Sequence, residues 1–394
     1  MKILQVFSMF SIEKGGGTVD LIYKITRELA HKGHDVTIYT GNYGFNRAYT
    51  QPLNDLGVDV QVFTNKKLFK GIHYMVDLKD AELDFMSRYD IVHFHAHRSY
   101  QNFILGNWAK KYNIPYVVDS HGSAPIKGGT SSKAVLKILY DIAIGNSFQN
   151  HCGGFIAESP LGINEYKELG IPEDKIHLVQ PSFPLEDFEI LPPKGLFRAK
   201  YGLQGKKIIT FFGRLNEIKG PDILLGEFNS MLSNNLSTDL HLVFVGPDDG
   251  MLLLLKSVLR EGPKSLQDNV TFTGGLFGQD KLEALVDSNV VVQPSRYEQG
   301  AWSPFEAILC GTPIIVSRHT GSGEDTMRAN AGETFDIDTP GDLSFVISRL
   351  LSNPDRAKAM TEQGATYIKA NLSLKENIKG YEEVYRKVIN QNGI

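Results

Sequence analysis

Cysteine is scarce in this chain: Cys152 and Cys310 are the only two in 394 residues. Two cannot build a disulfide framework, and neither has a neighbour at zinc-ribbon or redox-motif spacing. Long apolar runs are missing as well; none reaches the ~18 residues of a membrane-spanning helix. Nor is there a surplus of positive charge. Lys and Arg number 41 against 45 Asp and Glu, a formal charge of −4, so no global electrostatic case exists for a nucleic-acid partner. Short-period repeats, low-complexity tracts and a P-loop are absent. The opening "MKILQVFSMFSIEKGGG" is basic then apolar, but it lacks a small-residue cleavage site and reads as a buried first strand. These features fit a cytoplasmic protein, with peripheral attachment at the inner membrane face left open.

What is present is the composition of a packed α/β protein, 42% hydrophobic and 22% charged. The length allows two or three domains. In the first half, strands are expected at Lys2–Phe7, Asp35–Tyr39, Asp59–Phe63, Ile91–Phe94, Tyr116–Asp119 and Phe155–Ala157. Helical patterns lie between them at Val19–Lys32, Gln101–Tyr112, Lys133–Ile144 and Leu161–Leu169. Such βαβ alternation implies a parallel sheet under helices. "QPSFPLEDFEILPPKG", Gln180–Gly195, then breaks the pattern with four prolines and reads as a linker. The alternation restarts with strands at Ile208–Phe212, His241–Val245, Val270–Phe272, Val290–Val292 and Ile314–Val316. Helices are expected at Asp222–Ser233, Met251–Arg260, Asp280–Asp287 and Ser303–Leu309, and throughout the chain beyond Pro340. In open α/β sheets ligands bind beyond the carboxyl ends of strands, so the loops there are the place to look for function.

After the first strand, Gly15, Gly16 and Gly17 precede a helix expected to be capped by Thr18; glycines and a helix start suit a close-approaching anion. "DIVHFHAHRSY" puts His93, His95 and His97 at period two, on one face of an extended segment. Outer rings that far apart do not make a zinc site, so the histidines are expected to pack at the strand end, with His97 reaching the cleft. His121 follows an apolar strand and precedes Gly122, as either a ligand contact or a satisfied loop histidine. In "GRLNEIKG", Arg214 and Lys219 flank a strand end and a helix start, where like charges oppose the helix dipole unless an anion is bound. Ser303-Pro304-Phe305-Glu306 has the pattern of a capping box, which puts Glu306 in a first helical turn as ligand contact or as cap. Glu298 lies in the loop before it, and its two acceptor oxygens suit sugar hydroxyls.

In this order and spacing the motifs resemble the retaining glycosyltransferases of family 4, over essentially the whole chain. The residues that carry the resemblance are Gly15–Gly17, "SHG" at Ser120–Gly122, "GRL…KG" at Gly213–Gly220 and the Glu-x7-Glu run "EQGAWSPFE" followed by "AILCGTPII". The resemblance implies the GT-B fold, two Rossmann-like βαβ domains facing each other across a cleft. Residues 1–183, completed by 374–394, would bind the acceptor, and 184–373 the nucleotide-sugar. It implies that Arg214 and Lys219 neutralise the donor diphosphate, that Glu298 grips the sugar, and that Glu306 grips the ribose. His121 would contact the donor sugar near the scissile bond, Gly16 and Gly17 would lie near phosphate and acceptor, and Leu276 would read the base. Ala301, Trp302 and Ser303 would line the diphosphate at the helix start. The donor would be a UDP- or GDP-sugar, the acceptor a glycan or lipid-linked hydroxyl, and no divalent metal or other cofactor is expected. A sugar-nucleotide epimerase, a phosphorylase and a non-catalytic sugar-nucleotide binder stand as alternatives. Departures from the family pattern are Gln299-Gly300-Ala301 after the first glutamate, "PSFPLEDF" in the linker, and "HFHAHRSYQN". Lys127, Lys133 and Lys137 beside apolar residues mark a candidate interfacial helix for membrane contact.

Overall fold

The computed structural model describes residues 1–12, 16–67, 73–85, 88–123, 140–141, 145–180, 182–234, 239–300 and 302–392. The expected helix Lys133–Ile144 and its lysines therefore lie outside the described residues, apart from Tyr140 and Asp141. The chain forms two compact units, Met1–Gln180 with Leu374–Ile394, and Pro181–Ser373.

The first unit is built on seven parallel strands: β1 (Lys2–Val6), β2 (Asp35–Gly41), β3 (Asp59–Phe63), β4 (Ile91–His95), β5 (Tyr116–Asp119), β6 (Gly154–Ala157) and β7 (Ile176–Leu178). They lie in the order β3-β2-β1-β4-β5-β6-β7. Every residue of β4, β5 and β6 is buried. That is why β5 and β6 read as short apolar runs rather than as alternating patterns, while β4 buries its alternating histidines along with its apolar residues. Helix α1 (Gly17–His31) buries Val19, Ile22, Ile25 and Leu29, one stripe of a 3.6-residue period. It starts at Gly17, so Thr18 is its second residue and not its cap. Gly16, at φ 55°, takes the capping place, and the left-handed backbone there suits glycine. Helices α2 (Tyr100–Lys111) and α3 (Pro160–Glu168) are capped by the Ser99 and Ser159 hydroxyls. The C-terminal helix, Leu374–Gln391, also belongs to this unit and buries Ile378, Tyr381, Tyr385 and Val388. Its Glu382 meets His34 at 2.8 Å.

The second unit begins with α4 (Leu196–Tyr201) and runs through β8 (Lys207–Phe212), α5 (Pro221–Ser233), β9 (Leu240–Val245), β10 (Val270–Gly274) and α6 (Gly278–Asp287). It continues with β11 (Val290–Gln293), α7 (Trp302–Leu309), β12 (Ile314–Ser317), α8 (Gly321–Ala329) and β13 (Glu333–Phe335). The parallel sheet has the order β10-β9-β8-β11-β12-β13. β8 sits inside it, so the loop after β8 opens beside those after β9 and β11.

The proline-rich stretch is not a free linker. Phe183 and Phe188 are buried in the core of the second unit, and Phe183 packs on Trp302 with ring centroids 5.6 Å apart. The Phe183 amide donates to the Leu372 carbonyl at 2.7 Å. The prolines leave only a short 3-10 turn at Leu185–Phe188 and no α-helix, but the two aromatic rings are too apolar to stay in water.

Asp287 ties the start of this unit together. Its carboxylate accepts from the amides of Gly195 at 2.6 Å and Arg198 at 3.0 Å, ahead of and within α4. Asp287→Ala leaves both donors without that partner and should cost about 1–3 kcal/mol. Urea unfolding should show a lowered midpoint; an unchanged midpoint would contradict this role.

Candidate active site

Three loops of the second unit converge on one group of charged side chains. After β8, Asn216 caps a short 3-10 turn, Glu217–Lys219, by accepting from the Lys219 amide at 3.0 Å. Gly220 follows at φ 67° and opens α5, with Pro221 at the first helical position. A Cβ at Gly220 would stand 2.1 Å from the Pro294 carbonyl oxygen. The β8 loop thus lies directly against the chain leaving β11, and the Arg296 amide donates to the Ile218 carbonyl at 2.8 Å. This close approach delivers the Lys219 ammonium to the Glu298 carboxylate, and the two form an ion pair. Gln293 donates to the same carboxylate oxygen at 3.4 Å. The Glu298 carbonyl in turn accepts from the Gly321 amide at 2.7 Å, at the start of α8.

Arg214 is not part of that pair. Its guanidinium donates to Asp249 at 2.7 Å, and Asn216 donates to the same oxygen at 2.9 Å. Asp248 faces away, accepting from the amides of Gly250 and Leu252 at 3.0 Å. The adjacent aspartates diverge and converge on no common point.

Glu306 differs from the sequence expectation in two ways. Helix α7 starts at Trp302, so Ser303 lies inside the first turn instead of capping it, and Glu306 falls beyond that turn. Pro304 tolerates this because first-turn amides have no intrahelical acceptor to lose. The capping-box role for Glu306 is therefore set aside. Glu306 is buried, and Lys281 of α6 donates to it at 3.0 Å. Lys281 and Asp249 carried no motif by which the sequence would have singled them out, whereas Asn216 lies inside "GRLNEIKG". Leu276 packs against the core around Phe197 and Val245, in the loop after β10. Ala301 lies outside the described residues. Trp302 is held against Phe183. Cys310, one turn after Glu306, is buried, and burial pushes its thiol up to about 12. Burial does the same for Cys152, so neither thiol is reactive at neutral pH.

In the first unit, His121 follows β5 in a left-handed backbone conformation, φ 44°, with Gly122 at 78° behind it. A non-glycine residue there is strained by about 1–3 kcal/mol. The turn is fixed by Asp119 Oδ1, which accepts the His121 amide at 3.2 Å, and by the Ser123 amide donating to Ser120 O at 2.9 Å. Both ring nitrogens of His121 are engaged: Nδ1 lies 2.7 Å from Glu158 and Nε2 lies 2.9 Å from His95 Nδ1. Gly16 and Gly17 stand at the β1 to α1 turn of the same unit. Of the Gly15–Gly17 run, Gly15 lies outside the described residues.

His93 and His95 are packed and hydrogen-bonded at the strand end as expected, but His97 differs from the expectation. β4 stops at His95, and Ala96 takes φ 74°, which breaks the period-two alternation. His97 is consequently buried at 2% exposure, close to Phe155 and Tyr166, and its Nε2 faces Gln149 at 2.9 Å. It does not reach a surface. Among the described residues no helix is long and apolar enough to cross a membrane.

Two family models match the chain: Glycosyltransferase Family 4 over residues 15–187 and Glycosyl transferases group 1 over residues 194–367. An uncharacterized glycosyltransferase of Methanocaldococcus jannaschii is 24% identical over 71% of this chain and 70% of its own. The D-inositol 3-phosphate glycosyltransferase of Rhodococcus jostii is 26% identical over 76% of this chain and 66% of its own. Anabaena HepE, solved with UDP and glucose, superposes with a TM-score of 0.79 at 16% identity, covering 98% of this chain and 99% of HepE. Sucrose-phosphate synthase from Thermosynechococcus elongatus superposes with a TM-score of 0.72, also at 16% identity, over 99% of this chain and 100% of its own. The fold is GT-B.

Gly220→Ala places a Cβ on a positive φ and into the Pro294 carbonyl. It should destabilise the second unit by more than about 1 kcal/mol and separate Lys219 from Glu298. Thermal unfolding should show a lower Tm; an unchanged Tm would contradict the close approach.

Proposed function

Because this chain belongs to the glycosyl transferases of group 1, with a family 4 N-terminal half, we propose that it transfers a sugar from a nucleotide-diphosphate-sugar to a hydroxyl acceptor. Transfer retains the anomeric configuration and needs no divalent metal. The observation that carries this reading is the Lys219–Glu298 pair, a cation and a carboxylate held together at the carboxyl ends of β8 and β11. It is a pair that a diphosphate-sugar would separate into two useful contacts. HepE was solved with UDP-glucose, and a UDP- or GDP-sugar is the donor class assigned to this chain. The acceptor is a glycan or lipid-linked hydroxyl.

In the proposed reaction the bond between the anomeric carbon and the diphosphate oxygen breaks, and both electrons leave with the diphosphate. Lys219 and Arg214 turn from their carboxylate partners to that oxygen cluster, and the amide end of α7 at Trp302 and Ser303 adds to the positive field. The acceptor oxygen attacks from the face the diphosphate leaves, and its proton passes to a donor phosphate oxygen. Glu298, released from Lys219, accepts two sugar hydroxyls. Glu306 accepts the ribose hydroxyls while Lys281 orients its carboxylate, and the backbone near Leu276 reads the base. Gly16 and Gly17 bring amides to the phosphate and acceptor, and His121 faces the donor sugar.

Glu298→Gln and Lys219→Ala should each lower turnover about 100-fold or more, with the circular-dichroism spectrum unchanged. Normal turnover in either folded variant would contradict the assignment. Turnover of the wild-type chain should persist in excess chelator. A loss reversed by Mg2+ or Mn2+ would refute the metal-free mechanism.

A further inference from the structure

Behind His121 runs a line of buried polar groups, Gln5 on β1, His95 on β4, Asp119 on β5 and Glu158 just after β6. Gln5 Oε1 lies 2.7 Å from His95 Nε2, and His95 Nδ1 lies 2.9 Å from His121 Nε2. His121 Nδ1 then lies 2.7 Å from Glu158 Oε1 and 3.3 Å from Asp119 Oδ1. Gln5, His95 and Asp119 are fully buried, and Glu158 is 5% exposed. Burying four such groups beside a fifth is costly unless each is bonded in a consistent direction.

The direction follows from the chemistry of the two ends. Ionised carboxylates only accept, so His121 Nδ1 carries a proton toward Glu158 and Asp119. At the other end the Gln5 carbonyl oxygen accepts from His95 Nε2, which leaves His95 Nδ1 as an acceptor. Only a proton on His121 Nε2 fills it. Both nitrogens of His121 are then donors, and the ring is a cation.

We propose that Gln5, His95, Asp119 and Glu158 are positioning residues that lock the His121 ring and hold it as an imidazolium. Resting on the reading that His121 faces the donor, the charge so held adds to the field that stabilises the departing diphosphate.

The other groups around the ring are consistent with this. Tyr166 of α3 accepts the Ser120 amide at 3.0 Å and donates to Ile156 O at 3.1 Å. Tyr385 of the C-terminal helix meets His93 Nδ1 at 2.8 Å. Tyr381 of that helix is buried beside His93. Burial raises both of these helix tyrosines, so they stay neutral. Burial also pushes His93 and His95 well below the usual histidine value, which keeps both neutral. For His121 burial acts downward too, but Asp119 and Glu158 outweigh it and hold its pKa above the usual value. Burial pushes Asp119 up to about 7. A raised histidine pKa means that the cation persists to higher pH than in a free imidazole and is lost as pH rises past the raised value.

Long-range 1H–15N spectra of the full chain with labelled imidazoles test this directly, with His121→Asn used for assignment. At pH 7 His121 should show two protonated nitrogens and His95 one, on Nε2. A bare nitrogen on His121 would overturn the proposal. In Glu158→Gln the His121 titration midpoint should fall by about one unit or more, and the alkaline limb of the sugar-transfer pH profile should move down with it. An unmoved limb in the folded variant would overturn the proposal as well, since a merely structural contact does not set that limb. If Glu158→Gln does not fold, the wild-type spectrum still decides. If no nucleotide-sugar is turned over by the wild-type chain, the function fails while the spectral result stands on its own.

Discussion

The close approach of Gly220 to the Pro294 carbonyl is the constraint on which the second unit's site depends. A left-handed residue is required where the 3-10 turn meets α5, and any side chain there would push the β11 loop away. With no Cβ, the β8 and β11 loops touch, and Lys219 and Glu298 come within bonding reach. The rest of the site is arranged around that contact. Gly321 fastens the Glu298 carbonyl from α8, Asp249 holds Arg214 in the loop after β8, and Lys281 holds Glu306 on α7. Each cation of the site thus has a carboxylate partner, which limits the cost of holding like charges near one another. The Lys219–Glu298 and Arg214–Asp249 pairs are partly solvated, so a phosphate can displace their carboxylates.

The two units solve the same problem differently. In the second, charge is held at the strand ends by pairs that a ligand can open. In the first, charge is held beneath a strand end by a buried chain of hydrogen bonds from Gln5 to Glu158. The bonds to both ring nitrogens of His121 support its strained backbone. The strain and the network belong together. The ring is pinned on both nitrogens, so the turn cannot relax without breaking bonds to β4 and to the loop after β6.

Much of the fold was legible because the buried strands are continuous apolar runs and the helices carry clear stripes. Ile3 to Val6, Val117 to Asp119 and Ile314 to Val316 needed only local reading. β7 and β13 were not legible: each has three residues, at a sheet edge, with polar positions such as Glu333 satisfied by Arg349 and Arg356. The prolines of Gln180–Gly195 signalled irregular backbone correctly but hid the burial of Phe183 and Phe188, which is a tertiary matter. Among the site residues, Lys219 and Glu298 were legible as motif and are brought together. Ser303 was expected as the cap but is the second residue of α7, two positions further in, because a capping pattern and a helix start with proline in its first turn look alike in sequence. His97 was misplaced because nothing in "HFHAH" announces the left-handed backbone at Ala96. Partners that work through space rather than spacing, such as Lys281 for Glu306 and His95 for His121, leave no local trace.

The central claim is that a nucleotide-sugar opens the Lys219–Glu298 pair and loses its sugar to a hydroxyl acceptor. It is tested most directly by offering the purified chain a panel of nucleotide-sugars and following nucleoside diphosphate release. Product configuration would be read by NMR. The account predicts release from a UDP- or GDP-sugar, stimulated by a hydroxyl acceptor, with the anomeric configuration of the donor kept in the product. No release from any donor, or a product of inverted configuration, would contradict it.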